Sequence, residues 1–149
     1  MNISIRKALD KDIPFVLNLI AQADMSPDNT LSPAQATELF HNIERTGCHT
    51  IYVAESANEV IGTFALVVIQ QLSHSGARSM IIEDVVVRSD LQGQGIGQQM
   101  MRFATDQAKA LGCYKVCLSS GTARIKAHEF YEQMGFKKDG YRFALPLKS

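Results

Sequence analysis

Charge of one sign is missing from this chain. Fifteen lysines and arginines stand against 15 aspartates and glutamates, and the pI is near 6.9. A nucleic-acid surface usually shows as a basic excess, so none is expected. Basic residues late in the chain (Lys115, Arg124, Lys126, Lys137, Lys138) remain open to a phosphorylated cofactor locally. Long hydrophobic runs are also missing. The longest, Phe64 to Ile69, is far too short to span a bilayer, so no membrane partner is expected. The opening stretch, MNISIRKALDKD, lacks the apolar core of a signal peptide, and the cytoplasm is the expected compartment. Cysteines are few and odd in number: Cys48, Cys113 and Cys117 match no zinc spacing, and no metal is expected. On an extended strand Cys113 and Cys117 would lie roughly 13 Å apart, too far for a disulfide. Buried free thiols are expected. Low-complexity tracts, internal repeats and linkers are absent, so one domain over residues 1–149 is the natural reading.

What is present centres on residues 80–112. An apolar run, Met80 to Val87, carries two adjacent acids, Glu83 and Asp84. A polar turn follows, then the glycine-rich knot Gln92-Gly93-Gln94-Gly95-Ile96-Gly97, then a helical pattern. This reads as strand, anion-binding turn and helix. Glycines let the backbone approach a ligand. A helix N-terminus has unpaired N–H groups and the positive end of the helix dipole. Together they suit a phosphate or pyrophosphate.

Such knots occur in several families. The phosphate loop of nucleotide hydrolases needs GxxxxGK[ST], and no Lys-Ser or Lys-Thr follows these glycines. A dinucleotide fold needs GxGxxG and an acid about 20 residues on for the ribose. Here Gln98 stands at the last glycine position, and the next strand ends in Cys117-Leu118-Ser119-Ser120 without an acid. The pattern Q/R-x-x-G-x-G/A is matched by Gln92, Gly95 and Gly97.

Periodicity supplies the remaining elements. Ile3 and Ile5 alternate with polar residues and open a first strand. Asp10 and Asp12 are candidate caps for a helix bearing Ile13, Val16, Leu17 and Ile20. Residues 23–31 read as a loop. Ser32-Pro33-Ala34-Gln35 joins a capping box to a proline at N1, predicting a helix to about Arg45 with Leu39, Phe40 and Ile43 inward. Ile51–Glu55 and Val60–Ile69 read as strands around a turn at Ala57-Asn58-Glu59. Gly62 marks a bulge or a close packing contact. A polar loop, Gln70 to Ser79, precedes the strand Met80–Val87. Helix Ile96–Leu111 is expected to turn Ile96, Met100, Ala104, Ala108 and Leu111 to one side, with Gly112 beyond its end. Tyr114–Ser119 reads as a strand, Ala123–Met134 as a last helix, and Phe136–Leu147 as a last strand. The expected class is α/β, mixed and α+β-like: β-α-α-β-β-β-α-β-α-β, a central mixed twisted sheet flanked by helices. The crossover makes Met80–Val87 and Tyr114–Ser119 parallel.

Three segments, IEDVVV with QGQGIG, GCYKV, and AHEFYEQMGF, resemble the GNAT superfamily of acetyl-CoA-dependent N-acetyltransferases, and the resemblance covers the whole chain. Within it, IEDVVV–QGQGIG–GCYK is similar to glucosamine-6-phosphate N-acetyltransferases. IEDVVV also resembles spermidine/spermine acetyltransferases, and the AHEFY…GY-R-F ending resembles aminoalkylphosphonate acetyltransferases.

The resemblance implies acetyl-CoA as co-substrate. Gln92, Gly93, Gln94, Gly95, Ile96, Gly97 and Gln98 would cradle its pyrophosphate through backbone N–H groups. Val85, Val86 and Val87 would pair by main chain with the pantetheine arm, which requires the two parallel strands to splay. Backbone N–H groups near Val85 or Val86 would polarise the thioester carbonyl. Ala127 and Phe130 are expected among the cofactor contacts of the last helix. Arg124 stands where the family often has Asn; it pairs with a cofactor phosphate or is a plain surface arginine.

An acceptor amine must lose its proton before it attacks, and a carboxylate nearby can take it. Glu83 is the candidate base, because it sits on the strand that would bind the acyl arm; the alternative is a solvated acid or salt-bridge partner. Asp84 faces the other way in a regular strand, and anchors the amine only if a bulge turns it. Tyr131 matches the family tyrosine that faces the coenzyme A sulfur, and is otherwise a core aromatic. His128 is expected to be structural or on the surface, and His74 to approach the substrate from its loop. The expected reaction is direct acetyl transfer to a primary amine of a small molecule: amino sugar, polyamine or aminoalkyl compound. No nucleophile–base pair suggests an acyl-enzyme. A cofactor-binding regulatory domain without turnover is the rival. Residues 24–33 and 70–79 are expected to line the acceptor site. A homodimer is the assembly this reading allows.

Overall fold

The structure is a computed structural model that describes residues 1–23 and 31–148. It forms two compact units, Met1–Cys117 and Leu118–Ser149.

In the first unit β1 (Ser4–Lys7), β2 (His49–Ser56), β3 (Glu59–Gln70), β4 (Arg78–Val87) and β5 (Cys113–Cys117) form one sheet in sequence order. The first four strands are antiparallel neighbours, and β5 lies parallel to β4. Parallel pairing needs a crossover, and the central helix, Ile96–Ala110, supplies it. A two-residue turn at Ala57 and Asn58, both at positive φ, joins β2 to β3, with Ser56 opposite Glu59.

Helices cover both faces of the sheet. Helix α1 (Ile13–Gln22) and helix α2 (Pro33–Arg45) bury Ile13, Val16, Ala36 and Phe40 against Val53 and Ala8. The central helix buries Ile96, Met100, Met101, Ala104 and Ala108. On its face Tyr52 stacks on Phe64 at 5.3 Å, and Phe103 meets both rings edge-on.

Several expectations shift. Leu39 is exposed, because α2 turns Ala36 and Phe40 to the core and Leu39 away from them. Leu111 lies beyond the last turn of the central helix and is also exposed. Cys48 is exposed in the turn after Gly47; Cys113 and Cys117 are half-buried, and all three are free thiols.

Neither candidate aspartate caps α1 through its side chain. Asp12 is buried instead, in a bidentate pair with Arg6 at 2.7 and 3.0 Å, and it accepts the Leu9 N–H at 2.7 Å. Arg6 also reaches Glu55 at 3.1 Å. Burial alone would raise the Asp12 carboxyl, but the bonds from Arg6 and Leu9 outweigh it and hold it below its ordinary value. Asp10 faces His41 of α2, whose Nε2 lies 2.8 and 2.9 Å from its two oxygens. The Ser32 cap forms as expected: Ser32 Oγ accepts from Gln35 N, and Gln35 Oε1 accepts from Ser32 N.

In the second unit, the last helix runs Ile125–Gln133 and half-buries Ala127, His128, Phe130 and Tyr131. The expected last strand, Phe136–Leu147, does not form; residues 137–148 belong to no strand or helix and are exposed. Alternation gives a segment the pattern of a strand, but only a neighbouring strand's hydrogen bonds make it one.

Candidate active site

The site begins with a fault in β4. Thr63 pairs with Val86 and Ala65 with Glu83, so Phe64 alone stands opposite both Asp84 and Val85. This is a β-bulge, and Asp84 takes it up at φ 53°, a conformation rare for a residue with a Cβ. The turn that the sequence left conditional is therefore present. Glu83 and Asp84 are both exposed. Glu83, opposite Ala65, shares the sheet face of Thr63 and Val53, the face that α1 and α2 cover.

The second feature is an open edge. Pairing between β4 and β5 runs from Arg78 to Ile81 and ends where β5 ends, at Cys117. Beyond Ile81, β4 continues to Val87 with β3 as its partner on the other side. Arg88 N–H donates to Ile61 O, towards β3. Alternation then turns the main-chain groups of Val87 and Val85 to the open edge. Gln92 Nε2 donates to Val87 O there at 3.5 Å. Val85 and Val87 are half-buried and Val86 is buried.

The third feature is the glycine knot. Gly93 and Gly95 sit at φ 81° and 83°, where a Cβ is strained, and a Cβ at either would meet nothing within 4 Å. Conformation demands these glycines, and the space before them is clear. Gly95 is the N-cap of the central helix, and no side chain caps it. The N–H groups of Ile96, Gly97 and Gln98 in the first turn therefore lack helical acceptors. This is a fit for an anionic group: converging donors, the helix dipole and no obstruction.

Two braces around the knot carried no signal in the sequence. Ser89 N–H donates to Gln22 Oε1 at 3.0 Å, tying the last turn of α1 to the turn before the knot. Arg88 pairs with Asp90 at 2.7 Å and with Glu59 at 3.2 Å, which fixes the exit of β4. Ser89–Gln22 and Arg88–Glu59 join residues far apart along the chain, so no local pattern announces them.

The second unit holds the other named residues. Tyr131 packs between Phe130 and Phe136 at 5.2 and 5.9 Å. Burial raises its hydroxyl above the ordinary tyrosine value, and the Arg124 charge opposes this only in part. Tyr131 therefore stays protonated at neutral pH. Arg124 is exposed at the N-cap of the last helix. His128 is structural, as expected: its Nε2 donates to the Gly121 carbonyl at 2.8 Å and closes the turn before the helix.

Of the expected loop 70–79, Gln70 ends β3 and Arg78 and Ser79 begin β4, so the connection between the strands is 71–77. His74 stacks on Tyr114 at 4.3 Å, beside the start of β5. Arg78, opposite Gln70, begins β4, roughly 17 Å along the strand from Glu83. Of the other expected acceptor loop, residues 24–30 lie outside the described residues.

A bulged strand whose far half is unpaired by β5 thus runs into a left-handed glycine turn at a helix N-terminus. A sequence profile described as the acetyltransferase (GNAT) family matches residues 14–136. The chain belongs to the GNAT acetyltransferase family. It is thus an acyltransferase, of a family that uses acetyl-CoA. This GNAT protein is 32% identical over 144 residues to the probable glucosamine 6-phosphate N-acetyltransferase 2 of Oryza sativa subsp. japonica, covering 93% of this chain and 83% of the rice one. Over 89 residues it is 33% identical to the aminoalkylphosphonate N-acetyltransferase of Salmonella typhimurium, covering 60% of this chain and 57% of that one. A solved structure, a putative acetyltransferase from Agrobacterium tumefaciens, superposes with a TM-score of 0.90 at 29% identity, over 96% of this chain and 99% of that one.

Proposed function

We propose that the chain, as one domain over residues 1–149, transfers the acetyl group of acetyl-CoA directly to a primary amine of a small molecule. The observation that carries this is the open edge of β4 leading into Gly93 and Gly95. A thioester arm laid along Val85–Val87 would be held by main-chain bonds, with its pyrophosphate at the N–H groups of Ile96, Gly97 and Gln98. The bulge leaves an N–H near Val85 free to polarise the acyl carbonyl. No membrane-spanning helix is found among the described residues, and a soluble small molecule is the acceptor proposed.

Glu83 is the proposed base. It is exposed one residue before the bulge, on the sheet face where α1 ends, and takes a proton from the amine directly or through one water. Asp84, turned by the bulge, is the proposed amine anchor. The amine nitrogen attacks the acyl carbon, the carbon–sulfur bond breaks, and the thiolate leaves. Tyr131 is the proposed partner of that sulfur. Its raised hydroxyl suits a hydrogen-bond donor better than a full proton donor, because a free thiol near 8.5 is the stronger acid. Ala127, Phe130 and Arg124 are proposed cofactor contacts on the same helix.

Glucosamine 6-phosphate is the first acceptor to test, since that relative spans most of this chain. An aminoalkylphosphonate is the second. The test is coenzyme A release on a panel of these compounds, polyamines and simple amines. Turnover on an amine supports the reading. Acetyl-CoA binding without release on any of them would leave a binding domain in its place.

A further inference from the structure

Asp10, His41 and Glu44 each bring one metal-ligating atom to within 4.8 Å of the others. His41 and Glu44 stand three apart on α2, the spacing that sets two side chains beside each other on a helix surface. Asp10 comes from the short turn Asp10–Asp12 that leads into α1. His41 Nε2 lies 2.8 and 2.9 Å from the two Asp10 oxygens. None of the three belongs to the proposed acetyl-transfer site.

The backbone beneath them is held on both sides. Asp12 is buried in its pair with Arg6 and accepts the N–H of Leu9, so the residues flanking Asp10 are fixed. Phe40, next to His41, is in the core, and the Ser32–Gln35 cap fixes the start of α2. Only side-chain rotation is left to bring the donors together. The three side chains are exposed or half-exposed, so an ion reaches them from solvent.

We propose that Asp10, His41 and Glu44 form a site for a divalent transition-metal ion, Zn²⁺ first, which ties the turn before α1 to α2. The donor set selects the ion. One imidazole nitrogen with two carboxylate oxygens suits zinc and its first-row neighbours, whereas Mg²⁺ and Ca²⁺ take oxygen ligands. Zinc bonds of about 2.0–2.1 Å put tetrahedral donors roughly 3.3 Å apart. His41 and Asp10 then open by roughly half an ångström, and Glu44 closes in by rotation. The ion takes the place of the proton between Nε2 and the Asp10 carboxylate, and that proton leaves to solvent. The two carboxylates balance the charge of the dication, and water fills the fourth position.

The test is calorimetric titration of the full chain with ZnCl₂ in a buffer that does not chelate metals. One ion per chain is expected, with a Kd below on the order of 10 µM and a melting temperature that rises with added zinc. His41→Gln, Asp10→Asn and Glu44→Gln are each expected to weaken binding by more than about 10-fold. Cys48 and His49 are adjacent soft donors of the same unit, and Cys48→Ser is expected to leave binding unchanged. No binding at on the order of 100 µM zinc overturns the proposal. So does binding that all three ligand variants leave intact, or that Cys48→Ser removes, since either means an adventitious ion only. Equal binding of MgCl₂ would mean attraction to negative charge alone, and also overturns it. Melting without zinc shows which variants fold, and those that do decide.

Discussion

Gly62 of β3 lies so close to Val86 that a methyl group there would sit 3.2 Å from the Val86 carbonyl oxygen. The same methyl would sit 2.9 Å from Met100 Sδ of the central helix. The thioether is flexible and can move, although Met100 is fully buried; a strand carbonyl moves only with its strand. Gly62→Ala is therefore expected to destabilise the fold by about 1–3 kcal/mol. It should also raise the KM for acetyl-CoA, because Val86 lies in the segment proposed to hold the acyl arm. Urea unfolding and initial rates read the two effects. Wild-type stability in the variant would show that the helix accommodates the methyl unaided.

Gly95→Val places a β-branched side chain at φ 83°, on a residue whose backbone opens the anion site. The strain is roughly 1–3 kcal/mol. Acetyl-CoA binding should be abolished while the sheet survives, because the turn is not part of the core. Calorimetric titration checks this, and unchanged affinity in a folded variant removes the knot from the site. In the wild type, acetyl-CoA should raise the melting temperature, and NAD and ATP should not.

Glu83→Gln should lower kcat/KM most near neutral pH, where the acceptor amine is protonated, and recover as pH rises and free amine appears. Tyr131→Phe should lose rate at every pH up to about 9, since a hydroxyl whose titration burial pushes upward does not ionise in that range. Each loss is expected at roughly 10²–10⁴-fold if proton transfer is the whole role, and less for Tyr131 if it only donates a hydrogen bond. The measurement is kcat/KM against pH for wild type and both variants. Wild-type rates for Glu83→Gln throughout would strike Glu83 from the mechanism.

Asp12 links stability to pH. Its folded carboxyl titrates below the unfolded value of about 3.9. The stabilisation is thus complete above that value and is lost as pH falls through the lower, folded one. Asp12→Asn removes the carboxylate from the bidentate pair with Arg6, and should cost about 2–3 kcal/mol at neutral pH. Below pH 3 the difference between variant and wild type should shrink. A gap that persists undiminished below pH 3 would show that the ion pair is not the source.

The sequence by itself determined what depends on near neighbours. Ser32, Pro33 and Gln35 start α2 because a cap needs only the three residues beside it. Gly93 and Gly95 mark the left-handed turn because few other residues take that backbone. Buried Ile96, Met100, Ala104 and Ala108 follow from one period.

What the tertiary structure decided depends on residues far apart in the chain. The bulge at Asp84 exists because Phe64, packed between Tyr52 and Phe103, stands opposite two residues of β4; nothing in IEDVVV alone says so. Asp12, readable as a helix cap, serves instead as the anchor for Arg6, which also reaches Glu55 far along the chain. The last strand expected at Phe136–Leu147 does not form here. A side-chain pattern is local, but a strand's hydrogen bonds belong to its neighbour, and only the assembled sheet says which edges are free.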